Sequence, residues 1–352
     1  MNSSSPDSVP LVSVVILNYN GARWMERCLA SLKEQTIFSK LEIIVADNQS
    51  SDGSDKLAEK LLQDWPNAQF VQNGGNFGYC EGNNLAVKPA RGEFLFILNN
   101  DTWLERDCME ILLRETQAHQ ADASTPLVLN YDDDSYQSMG AQGVDIFGLA
   151  SFHPPRAQTH EILMPSGSCF LIRRELFLKV GGFDKAFFMF GDEMDLSWKL
   201  WIAGGKAVAV PAAILHHRSA ASVNPKGGGT IVEIRTNDTK RYYSNRNSLL
   251  VILKNAQHVL LLLAVSMVCF FIVEGLVLLI LIRRWSFVRN AYIRGVTDCW
   301  KMRAHVLAER RKVKQFRKRS DWGMLRFVKM RMNRWDEMKR LKQLGLPKVD
   351  AG

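Results

Sequence analysis

The residues able to do chemistry sit where apolar runs stop. The run FLFIL at 94–98 ends in Asn99, Asn100, Asp101 and Thr102, two amides, a carboxylate and a hydroxyl. Such hard oxygen donors suit Mg2+ or Mn2+ holding a diphosphate, although Asn-Asn-Asp also makes ordinary turns. At 192–195 three carboxylates, Asp192, Glu193 and Asp195, open a stretch of helical spacing directly after the aromatic loop Phe187-Phe188-Met189-Phe190. A helix dipole accounts for one or two acidic residues in a first turn; three behind an aromatic loop ask for a further reason. His216 and His217 follow the strand-like residues 213–215, and a pair in that position is structural more often than metal-binding.

The elements that must position these groups are legible upstream. LVSVVIL at 11–17 is a β-branched run ending in Asn18-Tyr19-Asn20-Gly21, and LEIIVA at 41–46 ends in Asp47-Asn48. A short strand at 68–72 leads into Gly74-Gly75-Asn76-Phe77-Gly78. Helical spacing at 23–33, 55–65 and 81–90 separates the strands, which is the rhythm of βαβ units in a parallel sheet. The polar strand ends then share one edge, where an open α/β sheet binds its ligand. The glycines at 74, 75 and 78 do not make the GxGxxG of a dinucleotide fold. A helix at 105–120 is followed by a less regular region with an acidic loop at 131–135 and breaks at 153–155 and Gly167, read as acceptor-side structure. Strand and helix return from Phe170, with a further strand at 207–210.

Composition sets the class. A hydrophobic share of 47% excludes a mainly disordered chain. The net charge of +9 is uneven: from Arg283 onward 21 Lys and Arg face 6 Asp and Glu, whereas the remainder has 24 against 30. A basic tail on a mildly acidic front points to a phosphate-bearing surface, nucleic acid or anionic lipid. No nucleic-acid module is recognisable, so lipid is preferred and nucleic acid is not expected as a partner. The six cysteines show no CxxC grouping and are expected to be reduced. The first ten residues lack the apolar core of a signal peptide and are read as disordered, which keeps the catalytic part in the cytosol.

Taken in order, VSVVILNYNG (12–21), VADNQSSDGS (45–54), GGNFGYCEGNN (74–84), FILNNDT (96–102), PSGSCFLIRRELF (165–177), GGFDKAFFMFGDEMDLSWKLWIAG (181–204) and the pair at 216–217 resemble inverting glycosyltransferases of family two. The branch that looks closest adds rhamnose and related sugars to bacterial surface polysaccharides. The resemblance implies the GT-A fold, a Rossmann-like, mainly parallel mixed sheet flanked by helices, over 11–240. It implies a nucleotide-sugar donor, with dTDP-rhamnose the one suggested by that branch, and a divalent cation, Mg2+ or Mn2+. It also places Asn18, Tyr19, Asn20, Asp47, Asn48, Asn76, Gly78, Asn83 and Asn100 at the donor, with Asp47 on the nucleobase. Asp101 would be the metal ligand of a DxD-like motif whose first carboxylate is replaced by Asn99. His216 would assist it, with His217 the alternative. The general base falls on Glu193, with Asp192 the alternative because Asp and Glu are exchanged relative to the family pattern. Gly167, Ser168, Phe188 and Asp195 would lie toward the acceptor. Two readings compete: a membrane-tethered polyanion-binding protein, and a metal-dependent nucleotidyltransferase, which lacks here its Gly-rich loop with a following Lys.

After a connecting helix at 241–258, residues 259–282 form 24 apolar positions interrupted by Glu274. As a helix they span about 36 Å, enough for a hydrocarbon core of about 30 Å. Enzyme and basic tail both favour the cytosolic side, so a re-entrant hairpin broken at Glu274-Gly275 is preferred over a single span. Residues 283–352 read as a basic amphipathic segment on anionic lipid, at the cytoplasmic face of the plasma membrane. The acceptor would then be a polyprenyl-diphosphate-linked saccharide. Residues 225–230 (PKGGGT) read as a mobile flap. The string Arg331-x-x-Arg334-Trp335 is similar to the QxxRW of processive synthases, but it lies far out in the tail, and the enzyme is read as non-processive.

Overall fold

A computed structural model describes residues 10–152, 154–218, 235–330 and 348–349. The expectations for 1–9, 225–230 and 331–335 lie outside these residues. The first half follows the predicted alternation: β1 (Val12–Asn18), α1 (Ala22–Lys33), β2 (Leu41–Asp47), α2 (Ser54–Leu62), β3 (Ala68–Gln72), α3 (Gly78–Val87) and β4 (Phe94–Asn99). Strands β1, β2, β3 and β4 pair in parallel. Next come β5 (Thr102–Leu104), α4 (Cys108–Ala118), β6 (Ala123–Asn130), and the short strands β7 (Tyr136–Ser138), β8 (Gly143–Asp145), β9 (Ala150–Ser151) and β10 (His160–Glu161). Strand β11 (Cys169–Arg173), α5 (Arg174–Lys179), α6 (Asp192–Ile202) and β12 (Ala207–His217) complete the sheet. Its order is β10-β12-β6-β11-β4-β1-β2-β3, with β11 antiparallel to β4 and β12 parallel to β6. The result is a mixed sheet covered by helices on both faces.

The pleat explains the two cores. Alternate residues point to opposite faces, so Val12, Val14, Ile16, Phe94, Phe96 and Leu98 pack with Met25, Leu29 and Leu112. Their neighbours Val15, Leu95 and Ile97 join Cys80, Trp198 and Leu250 on the other side.

The C-terminal part departs from expectation. Helix α7 (Asp238–Asn255) is capped by Asn237, whose side chain accepts from the Lys240 backbone N–H at 2.8 Å. Helix α8 (Leu262–Ile282) is continuous, so the break foreseen at Glu274-Gly275 is absent. Glu274 instead lies 3.9 Å from Arg241, and the Gly275 position faces Val288 and Tyr292. The chain turns at Arg283, which has φ +55°. It then doubles back through α9 (Trp285–Val288), a π-turn, α10 (Arg294–Lys301) and α11 (Arg303–Phe316) onto α7. Phe287, Tyr292, Cys299 and Val313 are buried in the core shared with α6 and α7. Through residue 329, then, the basic segment is folded against the domain: Met324 and Phe327 are buried in the same core, and Val328 and Lys329 pair in parallel with β8.

Candidate functional site

Register brings the strand ends together. Asn18 lies opposite Asp47, and Leu17 opposite Asn99. The Asn18 amide donates to Asp47 Oδ1 at 2.7 Å and to Ser54 Oγ at 2.8 Å, while its own Oδ1 accepts from Asn100 at 2.8 Å. Asp47 also accepts from the backbone N–H and hydroxyl of Ser50, at 2.9 and 2.6 Å. Burial pushes its carboxyl up, but the bonds from Ser50, Asn18 and Gln72 outweigh that and hold it below the usual carboxylate range. Asp47 is fully buried, and bracing the loops after β1 and β2 is its visible work. Asn20, at φ +52°, accepts from the Ser51 N–H at 2.9 Å, and Tyr19 is exposed beside it.

The glycine-rich loop joins the same rim. Asn48 donates to the Gly78 carbonyl at 3.0 Å, Asn76 accepts from the Gly78 N–H at 3.0 Å, and Asn83 donates to the Tyr79 carbonyl at 2.9 Å. Gly78 has φ +72°, and a Cβ there would stand 2.5 Å from the Phe188 ring and 2.7 Å from its carbonyl oxygen. Only glycine admits that approach, and it lets the Phe188 carbonyl accept from the Tyr79 N–H at 2.8 Å.

Asp101 and the histidines divide differently from the expectation. β12 pairs with β5 so that His217 is opposite Thr102 and His216 opposite Trp103. His217 Nε2 is therefore 3.3 Å from Asp101 Oδ1. His216 faces the other way: its ring stacks on Trp103 at 3.6 Å and its Nε2 is 3.2 Å from Glu105. Strand alternation makes His217, not the preferred His216, the partner of Asp101. One carboxylate and one imidazole suit Mn2+ or Mg2+ only if substrate phosphates and water complete the shell, and among the described residues no cluster of three or more such side chains forms.

The acidic cluster opens α6 just after Gly191, which is at φ +74°. The Asn99 backbone N–H donates to the Ser168 carbonyl at 2.9 Å, and the preceding residue, Gly167, lies against the Glu193 carboxyl group. The Tyr79 hydroxyl donates to the Gly167 carbonyl at 3.0 Å. Glu193 thus meets the β4–β11 rim that carries Asp101. Burial first, and then the charge of Glu193, raise Asp192 well above the carboxylate range; burial raises Glu193 as well. Asp192 is buried whereas Glu193 is half-buried, so Glu193 is the more accessible carboxyl of the two. Asp195, expected on the acceptor side, is instead fully buried and ion-paired with Lys199 at 3.1 Å and Lys254 at 3.0 Å. A carboxylate one turn into a core-facing helix needs such partners.

Sequence reasoning missed the residues that hold the aromatic loop. Asn247 on α7 donates its side-chain amide to the carbonyls of Phe187, Met189 and Phe190 at 3.0, 2.8 and 2.7 Å. Arg246 donates to the Asn247 Oδ1 at 2.8 Å, fixing the amide, and to the Ala186 carbonyl at 2.8 Å. Phe188 and Phe190 both sit at φ +63°, a conformation that such bonds must sustain. RNSLLVILKN at 246–255 does resemble the C-terminal part of the same branch, but the likeness assigns neither Arg246 nor Asn247 a role.

A sequence profile described as Glycosyl transferase family 2 matches residues 13–181. The chain is 30% identical over 239 residues to the N-acetylglucosaminyl-diphospho-decaprenol L-rhamnosyltransferase of Mycobacterium tuberculosis (strain CDC 1551 / Oshkosh), covering 59% of this chain and 76% of that protein. Among solved structures, GalNAc-T7 with UDP, GalNAc and Mn2+ is similar with a TM-score of 0.56 and 18% identity, over 70% of this chain and 48% of that one. The mannosyltransferase PcManGT of Pyrobaculum calidifontis, in complex with GDP-Man and Mn2+, gives a TM-score of 0.51 and 17% identity, covering 89% of each chain. At these identities the structural likeness speaks for the fold alone.

Proposed function

The chain belongs to glycosyltransferase family 2, and on that premise we propose that it transfers a sugar, with inversion, from a nucleotide-sugar to a hydroxyl of a lipid-linked saccharide. The Glu193 carboxylate takes the proton of the acceptor hydroxyl as that oxygen attacks the anomeric carbon opposite the diphosphate. The bond from that carbon to the diphosphate oxygen breaks, and the nucleoside diphosphate leaves with the electron pair. The observation that carries this reading is the place of Glu193, half-buried in the first turn of α6 and against Gly167 on the rim that carries Asp101, with the buried Asp192 beside it. Burial raises the basicity of Glu193, which brings it nearer the range useful at neutral pH.

Asp101 and His217 would hold a divalent cation, which when bound offsets the charge developing on the departing diphosphate. Tyr19, Asn20, Asn48, Asn76, Asn83 and Asn100 border the donor side, with Gly167, Ser168 and Phe188 toward the acceptor. The relative's rhamnosyl transfer to a diphospho-decaprenol-linked sugar supports a rhamnosyl donor, which we take to be dTDP-rhamnose, and a polyprenyl-diphosphate-linked saccharide as acceptor. We place the reaction in cell-surface polysaccharide synthesis. The length and apolar outward face of α8 support membrane association, which we place at the cytoplasmic face of the plasma membrane.

The test incubates the full chain with Mn2+, a panel of nucleotide-sugars and a polyprenyl-diphosphate-linked N-acetylglucosamine, and measures released nucleoside diphosphate. Glu193→Gln is expected to abolish transfer while donor binding by calorimetry is retained. Unchanged turnover in that variant removes Glu193 as the base.

A further inference from the structure

An apolar hollow lies away from the catalytic rim. Helices α7, α8, α10 and α11 enclose a trough of about 710 Å3 whose walls include Leu249, Leu253, Ala264, Val268, Val296 and Trp300. Val265 of α8 borders it and is 62% exposed, so the trough opens on the outward apolar face of α8, where Ile272, Val273 and Leu276 are also exposed. Trp300, at 73% exposure, stands at its edge. Contiguous apolar surface of this kind marks a binding face rather than ordinary solvent-exposed surface, and a tryptophan at its edge is typical of a membrane interface.

One residue of the trough, Leu307, also lines a second hollow of about 310 Å3. That one is basic: Lys254, His258, Arg310, Arg311, Lys314 and Arg317 surround it, and no carboxylate lines it. Helical spacing produces the junction, since Arg303, Leu307, Arg310, Arg311 and Lys314 fall on one face of α11. Three of the cations are engaged elsewhere. Lys254 pairs with Asp184 and Asp195, Arg310 donates to the Leu253 and Ala256 carbonyls, and Arg317 donates to the Asn255 carbonyl. Arg311 and Lys314 are exposed and, among the described residues, make no ion pair.

An apolar trough that runs into unpaired cations complements an amphiphile with an alkyl chain and an anionic phosphate head. We propose that this pair of hollows is a binding site for a bilayer phospholipid with a net negative headgroup. The acyl chain lies along α7 and α8, and the phosphate sits on Arg311 and Lys314. The basic end is near Lys254, about 10 Å further along α7 than Asn247 at 1.5 Å per residue. Neither hollow is lined by Asp101, Asp192, Glu193 or His217, so the assignment stands whether or not the catalytic reading does.

Cys269 lines the trough and is exposed, whereas the other five cysteines are buried, so its alkylation by a maleimide reports occupancy. The full chain in non-ionic detergent is titrated with dioctanoyl phosphatidylglycerol, dioctanoyl phosphatidylcholine or inorganic phosphate. Phosphatidylglycerol is expected to protect Cys269 at about 30-fold lower concentration than phosphatidylcholine, the preference that two Lys or Arg contacts to an anionic head confer. Inorganic phosphate should give no protection. The double variant Arg311→Glu/Lys314→Glu, both on the exposed face of α11, should keep its circular dichroism and lose the preference. Equal protection by the two lipids, protection by phosphate alone, or a retained preference in the double variant would overturn the proposal. Stronger protection by an isoprenyl diphosphate than by phosphatidylglycerol would overturn the assignment to a bilayer lipid.

Discussion

Replacing Asn247 by alanine removes two amide hydrogens shared among three carbonyl oxygens of the loop that precedes the acidic pair. A net hydrogen bond contributes about 0.5–1.5 kcal/mol, and a buried carbonyl left without a donor costs about 1–3 kcal/mol. The loss at this position is then about 2–4 kcal/mol. Against it stand two non-glycine residues, Phe188 and Phe190, each at φ +63°, and such conformations cost about 1–3 kcal/mol apiece. The two quantities are comparable, so without the clamp the loop relaxes toward ordinary backbone angles. Relaxation moves the first turn of α6, and with it Glu193. It also breaks the bond from the Tyr79 N–H to the Phe188 carbonyl that ties in the glycine-rich loop. Misplacement of a catalytic group by about 1 Å costs about 100-fold in rate. The assay is steady-state kinetics with thermal unfolding in parallel. We expect kcat to fall about 100-fold, KM for the donor to rise several-fold, and folding to be retained, because the strain is released locally. Asn247→Asp keeps the shape but cannot donate to carbonyls, and should be as impaired as the alanine variant. A kcat within about threefold of the parent in either variant would refute the reasoning.

Three other outcomes follow from the geometry. Lys254→Met should destabilise by about 3–5 kcal/mol in denaturant unfolding, because Asp184 and Asp195 would be left as buried, under-compensated charges. In the parent, burial pushes both carboxyls up but Lys254, with His305 at Asp184 and Lys199 at Asp195, holds them below the ordinary range. Their stabilisation is thus present above the unfolded aspartate value near 3.9 and is lost as pH falls below it. Asp192 has the opposite sign: its folded value is raised, so its contribution is present at low pH and lost as pH rises. Asp192→Asn should therefore raise the melting temperature at neutral pH, and a lowered one would contradict the burial argument. His217→Ala should weaken Mn2+ binding at least about tenfold by paramagnetic resonance titration, whereas His216→Ala, which loses the stack on Trp103, should leave it unchanged.

Much of the donor half was written in local pattern. Continuous β-branched runs at 12–18 and 41–47 can be satisfied only as central parallel strands, and their alternation with amphipathic helices leaves one arrangement in which Asn18, Asp47 and Asn99 end at the same edge. The resemblance to glycosyltransferases was legible in ordered motifs for the same reason: those motifs are the strand ends themselves. Tertiary structure alone decided three other matters. Which histidine meets Asp101 depended on the pairing of β12 with β5, and a shift of one residue would have exchanged them. Whether Asp195 faced substrate or core depended on Lys254, 59 residues away on another helix. The apolar segment carries no local signal for its partners, because a helix hydrophobic all round looks the same from every side. Only the fold-back of α9–α11 onto α7 gave it an inner face, and made Arg246 and Asn247 the brace behind the aromatic loop.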